Sequence, residues 1–272
     1  FYLKYFILIR EWLKESQTDI PEYIDETIYY LGQSYSLINQ NTKATILFNG
    51  NNESDNEDFN LYLSRLGYKF KNESNETGGY AVLKNKKIML VMDIGESPEK
   101  KFSHNYQSGS LSFEIISNGK KLISNSGYFQ NHQHQLNNVS KSTATHNTLI
   151  IDNQSSCKLR KQGDGYSRIE QGIKILKKKI IYEKNYWSIN SSHDGYLKNY
   201  GIIHDRQIEF YPEKNKIIGR DNLIKKKNFK SSNFEIRFHL QPNAKVMKTQ
   251  DITIVYAILY HLWISEFSLP MT

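Results

Sequence analysis

The side chains of this chain that could do chemistry crowd into one stretch, from SHNYQ at 103–107 to THNTLIID at 145–152. His104, His132, His134 and His146 lie within it, four of the eight histidines of the sequence. Imidazoles so gathered suit proton transfer near neutral pH, or a divalent metal held through neutral ring nitrogens. Asn105, Tyr106, Gln107, Asn125 and Tyr128 stand among them as polar companions. His132 and His134 have the spacing of a metal pair on one strand face, yet NHQHQLNN is polar enough to be a solvated loop. Elsewhere, His193-Asp194-Gly195 reads as a tight turn, His204-Asp205 as structural, and His239, alternating with Arg237, as a cap on a sheet. Competing signatures are missing: there is no G-x-S-x-G elbow, no phosphate-binding glycine loop and no Cys-His pair. Glu114, Asp152, Glu170 and Asp205 are not patterned as the paired carboxylates of a glycosidase.

The elements that must position these groups are strands. In LSFEIIS, Leu111, Phe113 and Ile115 share one face while Ser112 and Glu114 take the other. Asn118-Gly119 then supplies two residues tolerant of positive φ, and KKLIS resumes the extended pattern, so a type I′ hairpin is predicted. After Gly67 many such runs follow, punctuated by Gly, Asn, Asp and Pro. Their alternation, as in Lys174-Ile175-Leu176-Lys177, predicts an antiparallel β-sandwich with one face of each sheet wet. No repeat of fixed period is present, which argues against propellers and solenoids.

Residues 1 to about 40 read as two helices, the second starting near Pro21 and ending at Gly32. NGNNESDNED is a turn-rich acidic connection whose spacing does not match a calcium loop, and DFNLYLSRLG is a short helix. The boundaries drawn from the sequence are 1–48 helical, 49–67 linker and short helix, 68–250 sandwich, and 251–272 a tail of uncertain kind.

At 272 residues the chain can bury a core without disulfides, and Cys157, the single cysteine, can form none within the chain. A formal net charge of +8 suits an anionic partner, an acidic polysaccharide or nucleic acid, and equally a solvated lysine-rich surface. No RNA-recognition motif or ordered aromatic-basic stripe favours nucleic acid. No run reaches the roughly 18 apolar residues of a membrane helix. The chain begins at Phe1 and reads as a fragment, so no signal peptide is expected within it.

SGSLSFEI, NGKKLI, NSGYF, THNTLIID, SSHDGYLKNYGIIHDR and FEIRFHLQP, in that order, resemble the C-terminal sheet domain of the heparinase II/III family of polysaccharide lyases, over roughly Phe48 to Val246. The resemblance implies that residues 1–48 end an α/α toroid, that the whole protein cleaves uronate-containing glycans by β-elimination, and that it works in the periplasm or envelope of a Gram-negative bacterium. It implies that Asn105, Tyr106 and Gln107 lie nearest the chemistry, that Tyr128 and His146 touch substrate, and that the catalytic asparagine and tyrosine come from the toroid. The family's paired histidines fall at Asn105 and Gln107, with His104 displaced by one, and its metal set falls at Gln107, Asn125 and His146. With only His146 retained, no cofactor is expected beyond a weakly held divalent metal, zinc or calcium. A non-catalytic carbohydrate-binding or scaffold protein is the alternative. After Gln250 the likeness ends, leaving a reading-frame shift near Asp251 or a divergent strand pair; oligomeric state is not legible.

Overall fold

The computed structural model describes residues 2–38, 45–52, 57–72, 74–214, 216–242, 246–248, 254–257 and 262–268. Residues 53–56 of the acidic connection and Asp251 lie outside them, and with these the calcium and frame-shift questions. Helices α1 (Tyr2–Glu15) and α2 (Glu22–Ile38) bury Leu3, Ile7, Ile24 and Ile28 against one another, and α3 (Glu57–Arg65) adds Leu63. The second helix does not stop at Gly32 but continues to Ile38. A Cβ at Gly32 would lie 2.1 Å from the Phe70 ring, so this glycine serves close packing and not termination.

Strands β1 (Glu76–Thr77), β2 (Tyr80–Lys84), β3 (Ile88–Asp93), β4 (Phe113–Ser117) and β5 (Lys120–Ile123) form an antiparallel sheet in chain order. Beyond them come helix α4 (Gln135–Ser140), β6 (Leu149–Ile151), β7 (Lys158–Lys161), β8 (Ser167–Gln171), β9 (Ile175–Tyr182) and β10 (Trp187–His193). The described chain continues with α5 (Leu197–Tyr200), β11 (Ile202–Tyr211), β12 (Lys216–Lys225), β13 (Phe234–Ile236), β14 (Val246–Lys248), β15 (Ile254–Ala257) and β16 (Leu262–Ser268). The second sheet has the order β14-β15-β16-β12-β11-β10-β9, antiparallel except where β16 runs parallel to β12. β6 pairs with β13 and β7 with β8 in two small ribbons.

Leu83, Leu90, Met92, Phe113 and Ile115 of the first sheet interlock with Trp187, Ile189, Ile208, Phe210 and Ile217 of the second. The molecule is mainly β, an antiparallel sandwich with helices at one end. The five-stranded sheet departs from the expected wet face. Every residue of β3 and β4 is buried, because Leu37, Ile46 and Phe48 cover Val82, Met89, Val91 and Ile116 on the far side. Alternation in β4 therefore separates two apolar neighbours, not oil from water. No helix of the described residues is long and apolar enough to cross a membrane.

The hairpin turn is as the dipeptide predicts: Ser117 pairs with Lys120, and Asn118 and Gly119 have φ of 48° and 75°. No atom stands within 4 Å of a Cβ placed on Gly119, so a substitution there meets only backbone strain. Gly119→Val should cost about 1–3 kcal/mol, since a β-branched residue is disfavoured at positive φ. Urea unfolding checks this, and an unchanged midpoint would rule the turn out.

Candidate functional site

The segment before β4 is not extended. Residues 103–112 form a compact loop: Tyr106 N donates to Ser103 O, Ser108 N to Lys141 O and Gly109 N to Gln107 O. Leu111, fully buried, sits at φ 58°, a left-handed conformation that costs a branched residue about 1–3 kcal/mol. Alternation of faces therefore does not decide which side chains here reach a surface.

Asn105 and His104 are exposed, and Tyr106 is buried among Cys157, Ile169 and Ile173 with its hydroxyl accepting from Ser97. Burial raises the Tyr106 phenol well above its ordinary range. Gln107 is buried and ties three loops together. Its Nε2 donates to Gly127 O at 3.0 Å and Ser140 O at 2.6 Å, and its Oε1 accepts from Gly50 N at 3.1 Å. Its backbone N donates to Asn49 Oδ1, and Asn49 Nδ2 in turn donates to Tyr80 and Asp93. Tyr128 is buried too, its ring 5.6 Å from Lys141 Nζ and its hydroxyl donating to His104 O. Lys141 itself holds His104 O and Ser167 O, and burial, then Arg168, lowers its pKa to about 8.

His146 is sealed. Its Nδ1 donates to Ser142 O at 2.8 Å, which fixes the tautomer and leaves Nε2 a bare lone pair, buried and without a hydrogen-bond partner. Burial lowers its pKa to about 4. Gly109 faces the ring so closely that a Cβ there would stand 2.5 Å from Cδ2. Asn125 Oδ1 accepts from Asn147 N at 3.0 Å and Asn147 Nδ2 at 3.1 Å, and its own Nδ2 is buried without a partner. Glu114 Oε1 accepts from Asn125 N and Oε2 from Leu47 N, with burial raising its pKa to about 7.

These donors fit a divalent metal poorly. Gln107 spends its amide on backbone groups, Asn125 has its oxygen engaged and only a buried N–H₂ to spare, and only His146 Nε2 offers a lone pair. His132 and His134 do not act as a pair: His132 stacks on Tyr166 at 4.0 Å, while His134 Nδ1 accepts from Leu136 N and caps α4. The expected solvated loop is thus partly helix. His239 N donates to Asn147 Oδ1 and its ring meets Ala144 O, which fastens the 144–147 turn to the chain after β13.

Sequence reasoning missed the network beneath. Arg206 is fully buried and grips Asp221 bidentately, Nε to Oδ1 at 2.7 Å and Nη2 to Oδ2 at 3.0 Å. Its Nη1 donates to Leu111 O at 2.9 Å and Asn147 O at 2.7 Å. Gly195 N donates to His193 Nδ1, so His193 Nε2 donates to His204 Nδ1 and His204 Nε2 to Asp221, both rings neutral. Burial lowers both histidines; burial alone would raise Asp221, but Arg206 and His204 outweigh it and hold it below its ordinary value. The signal was present in GIIHDR: His204 and Arg206, two apart, share the inward face of β11, and the register sets Arg206 opposite Asp221.

The family model described as "Heparinase II/III-like, C-terminal" matches residues 72–266 of this chain. The chain belongs to the heparinase II/III family. The match runs through β15 and into β16, beyond the point where the motifs of the sequence ended. Heparan sulfate lyase HepC from Pedobacter heparinus is similar in structure, with a TM-score of 0.71 and 16% identity over 94% of this chain and 41% of that one. A heparinase III structure aligns with a TM-score of 0.63 and 17% identity, over 93% of this chain and 44% of that one. At such identities the likeness is one of fold, and the chain spans about two fifths of those proteins' length. No curated protein matches the chain.

Two outcomes are expected of the site. Chelation should leave the melting temperature of the purified protein unchanged, since a lone imidazole holds a divalent metal weakly; tight stoichiometric zinc would overturn this. Asp93, which accepts from Gly95 N and Asn49, has its pKa raised by burial to about 7. Protonated when folded and ionised when unfolded, it adds stability that is full below about pH 4 and is lost as pH rises through 7. Between pH 5 and 8 the wild-type protein should lose about 2–3 kcal/mol relative to Asp93→Asn; parallel urea-derived pH profiles would refute the assignment.

Proposed function

We propose that this chain is the sheet-domain part of a polysaccharide lyase that cleaves acidic, uronate-containing glycans by β-elimination. The observation that carries the reading is the family match over 72–266, with the loops bearing Asn105, Gln107, Asn125 and His146 fastened together at one place in that domain. β-Elimination needs a base for the proton beside the uronate carboxylate, a group that neutralises that carboxylate, and an acid for the leaving oxygen. His146, with a pKa near 4 and no path to solvent, is a poor base at neutral pH, and Tyr106 is a buried phenol held by Ser97. We therefore assign the acid and base to the helical portion of the whole protein. Asn105 is the exposed amide that can meet the carboxylate or a hydroxyl, while Gln107, Tyr128 and His146 hold its loop in place. A periplasmic or envelope location in a Gram-negative bacterium goes with this reading.

A non-catalytic glycan-binding scaffold is favoured by one observation: uncharged amides at 105, 107 and 125. Absorbance of unsaturated uronate separates the two. The 272-residue chain incubated with acidic glycans should form no product, whereas the chain extended upstream to include the toroid should. Product from the 272-residue chain would overturn the assignment of acid and base, and an extended chain that binds glycan without cleaving it would establish the scaffold.

A further inference from the structure

A polar recess adjoins the loops that carry the site. The ribbon of β7 and β8, the 138–142 turn and α5 enclose a groove of about 670 Å³, within the roughly 300–1,000 Å³ usual for ligand sites. Lys141, Lys158, Lys161 and Lys198 line it, and no aspartate or glutamate does so among the described residues. Lys158 shares Glu170 with Arg160 outside the groove, whereas no described carboxylate pairs with Lys161 or Lys198. Four like charges around one hollow, Lys141 buried and the other three at its exposed rim, repel one another unless solvent or an anion answers them. The rest of the lining is the amide and hydroxyl inventory that meets sugar hydroxyls, Asn138, Gln154 and Asn199 among them, over a small apolar floor at Cys157 and Leu159.

The groove is physically joined to the site. Lys141 lines it and also holds His104 O, next to the exposed Asn105; Ser142 lines it and accepts from His146 Nδ1. From these facts we infer that the groove is a second glycan-binding site, taking the carboxylate or sulfate groups of an acidic oligosaccharide on Lys158, Lys161 and Lys198. This rests on the proposed function for the class of ligand and adds a place of contact that the β-elimination centre does not require. Its role is to grip the polymer away from the bond being cleaved, so that loss of the three charges weakens binding of long and short acidic glycans without touching the residues of the site.

Calorimetric titration of the 272-residue chain tests it, using a heparin-derived tetrasaccharide, an unsulfated polyuronate tetramer and an oligodeoxynucleotide of equal charge, each at several salt concentrations. Lys158→Ala/Lys161→Ala/Lys198→Ala should bind the acidic sugar about tenfold more weakly, with a salt slope shallower by about two to three, as expected for three lost charge contacts. The three side chains are exposed, so the melting temperature should hold and serves as the check on folding. A preference for the sulfated sugar assigns sulfate to the groove; equal binding of the two assigns carboxylate. Wild-type affinity and slope in the triple variant would overturn the groove while leaving the glycan reading intact. Absence of binding by the wild-type chain to either sugar would overturn both, and equal affinity for the oligodeoxynucleotide would overturn the assignment to glycan.

Discussion

The buried pair of Arg206 and Asp221 is the interaction on which the site depends. Two charges out of water cost several kcal/mol each, and their mutual attraction offsets this only when the remaining hydrogen-bonding positions are also filled. Here they are. Asp221 accepts from Nε and Nη2 of the guanidinium and from the imidazole of His204, and both N–H groups of Arg206 Nη1 reach carbonyls, Leu111 O and Asn147 O. One cation thus fixes the carbonyls of two segments far apart in sequence: the loop that presents Asn105 and the turn that seats His146. Breaking such a pair by removing one partner costs about 3–5 kcal/mol, because the charge left behind has no answer. The left-handed backbone at Leu111 is an unfavourable conformation held by its surroundings, with the Arg206 bond to its carbonyl as one restraint.

Much of the architecture was legible because it follows from local rules. The period changes near Gly67, Asn118-Gly119 dictates its own turn, and the helices begin where their apolar spacing begins. What the sequence hid is contact between distant segments. Gly32 reads as a terminator until the Phe70 ring is seen against it, and β4 reads as half wet until Ile46 and Phe48 are seen covering it. The site was legible as a stretch but not as an arrangement. Nothing in the spacing of 103–107 says which side chains turn inward, yet the loop places Tyr106 and Gln107 inside and leaves Asn105 outside. Arg206 escaped notice because a charged residue in a strand defaults to surface; only the register opposite Asp221 makes it core.

The polar interior is unusual in being held by amides. Gln107, Asn125, Asn137 and Asn147 are all buried, and between them they bind backbone groups of the loops and of β4. Neutral amides do this without the desolvation cost of carboxylates, and with donors and acceptors on one group they satisfy both ends of a loop at once. Amides at these positions give hydrogen-bonding capacity without charge. Such groups hold a framework but are weak metal ligands, so the lyase and scaffold readings share the same geometry here.

The covering of the five-stranded sheet by Leu37, Ile46 and Phe48 bears on how such a domain can be inherited. Val82, Met89, Val91 and Ile116 would all meet water if the sandwich were cut away from the end of the helical part. At about 1.5–3 kcal/mol for each large apolar side chain, the loss is about the size of a typical domain's whole stability. Recombination at the change of period would therefore yield an unstable product. A gene exchange that preserves folding has to carry α2 and the segment of Ile46 and Phe48 along with the strands, so the unit that folds is larger than the one that the pattern of residues marks out.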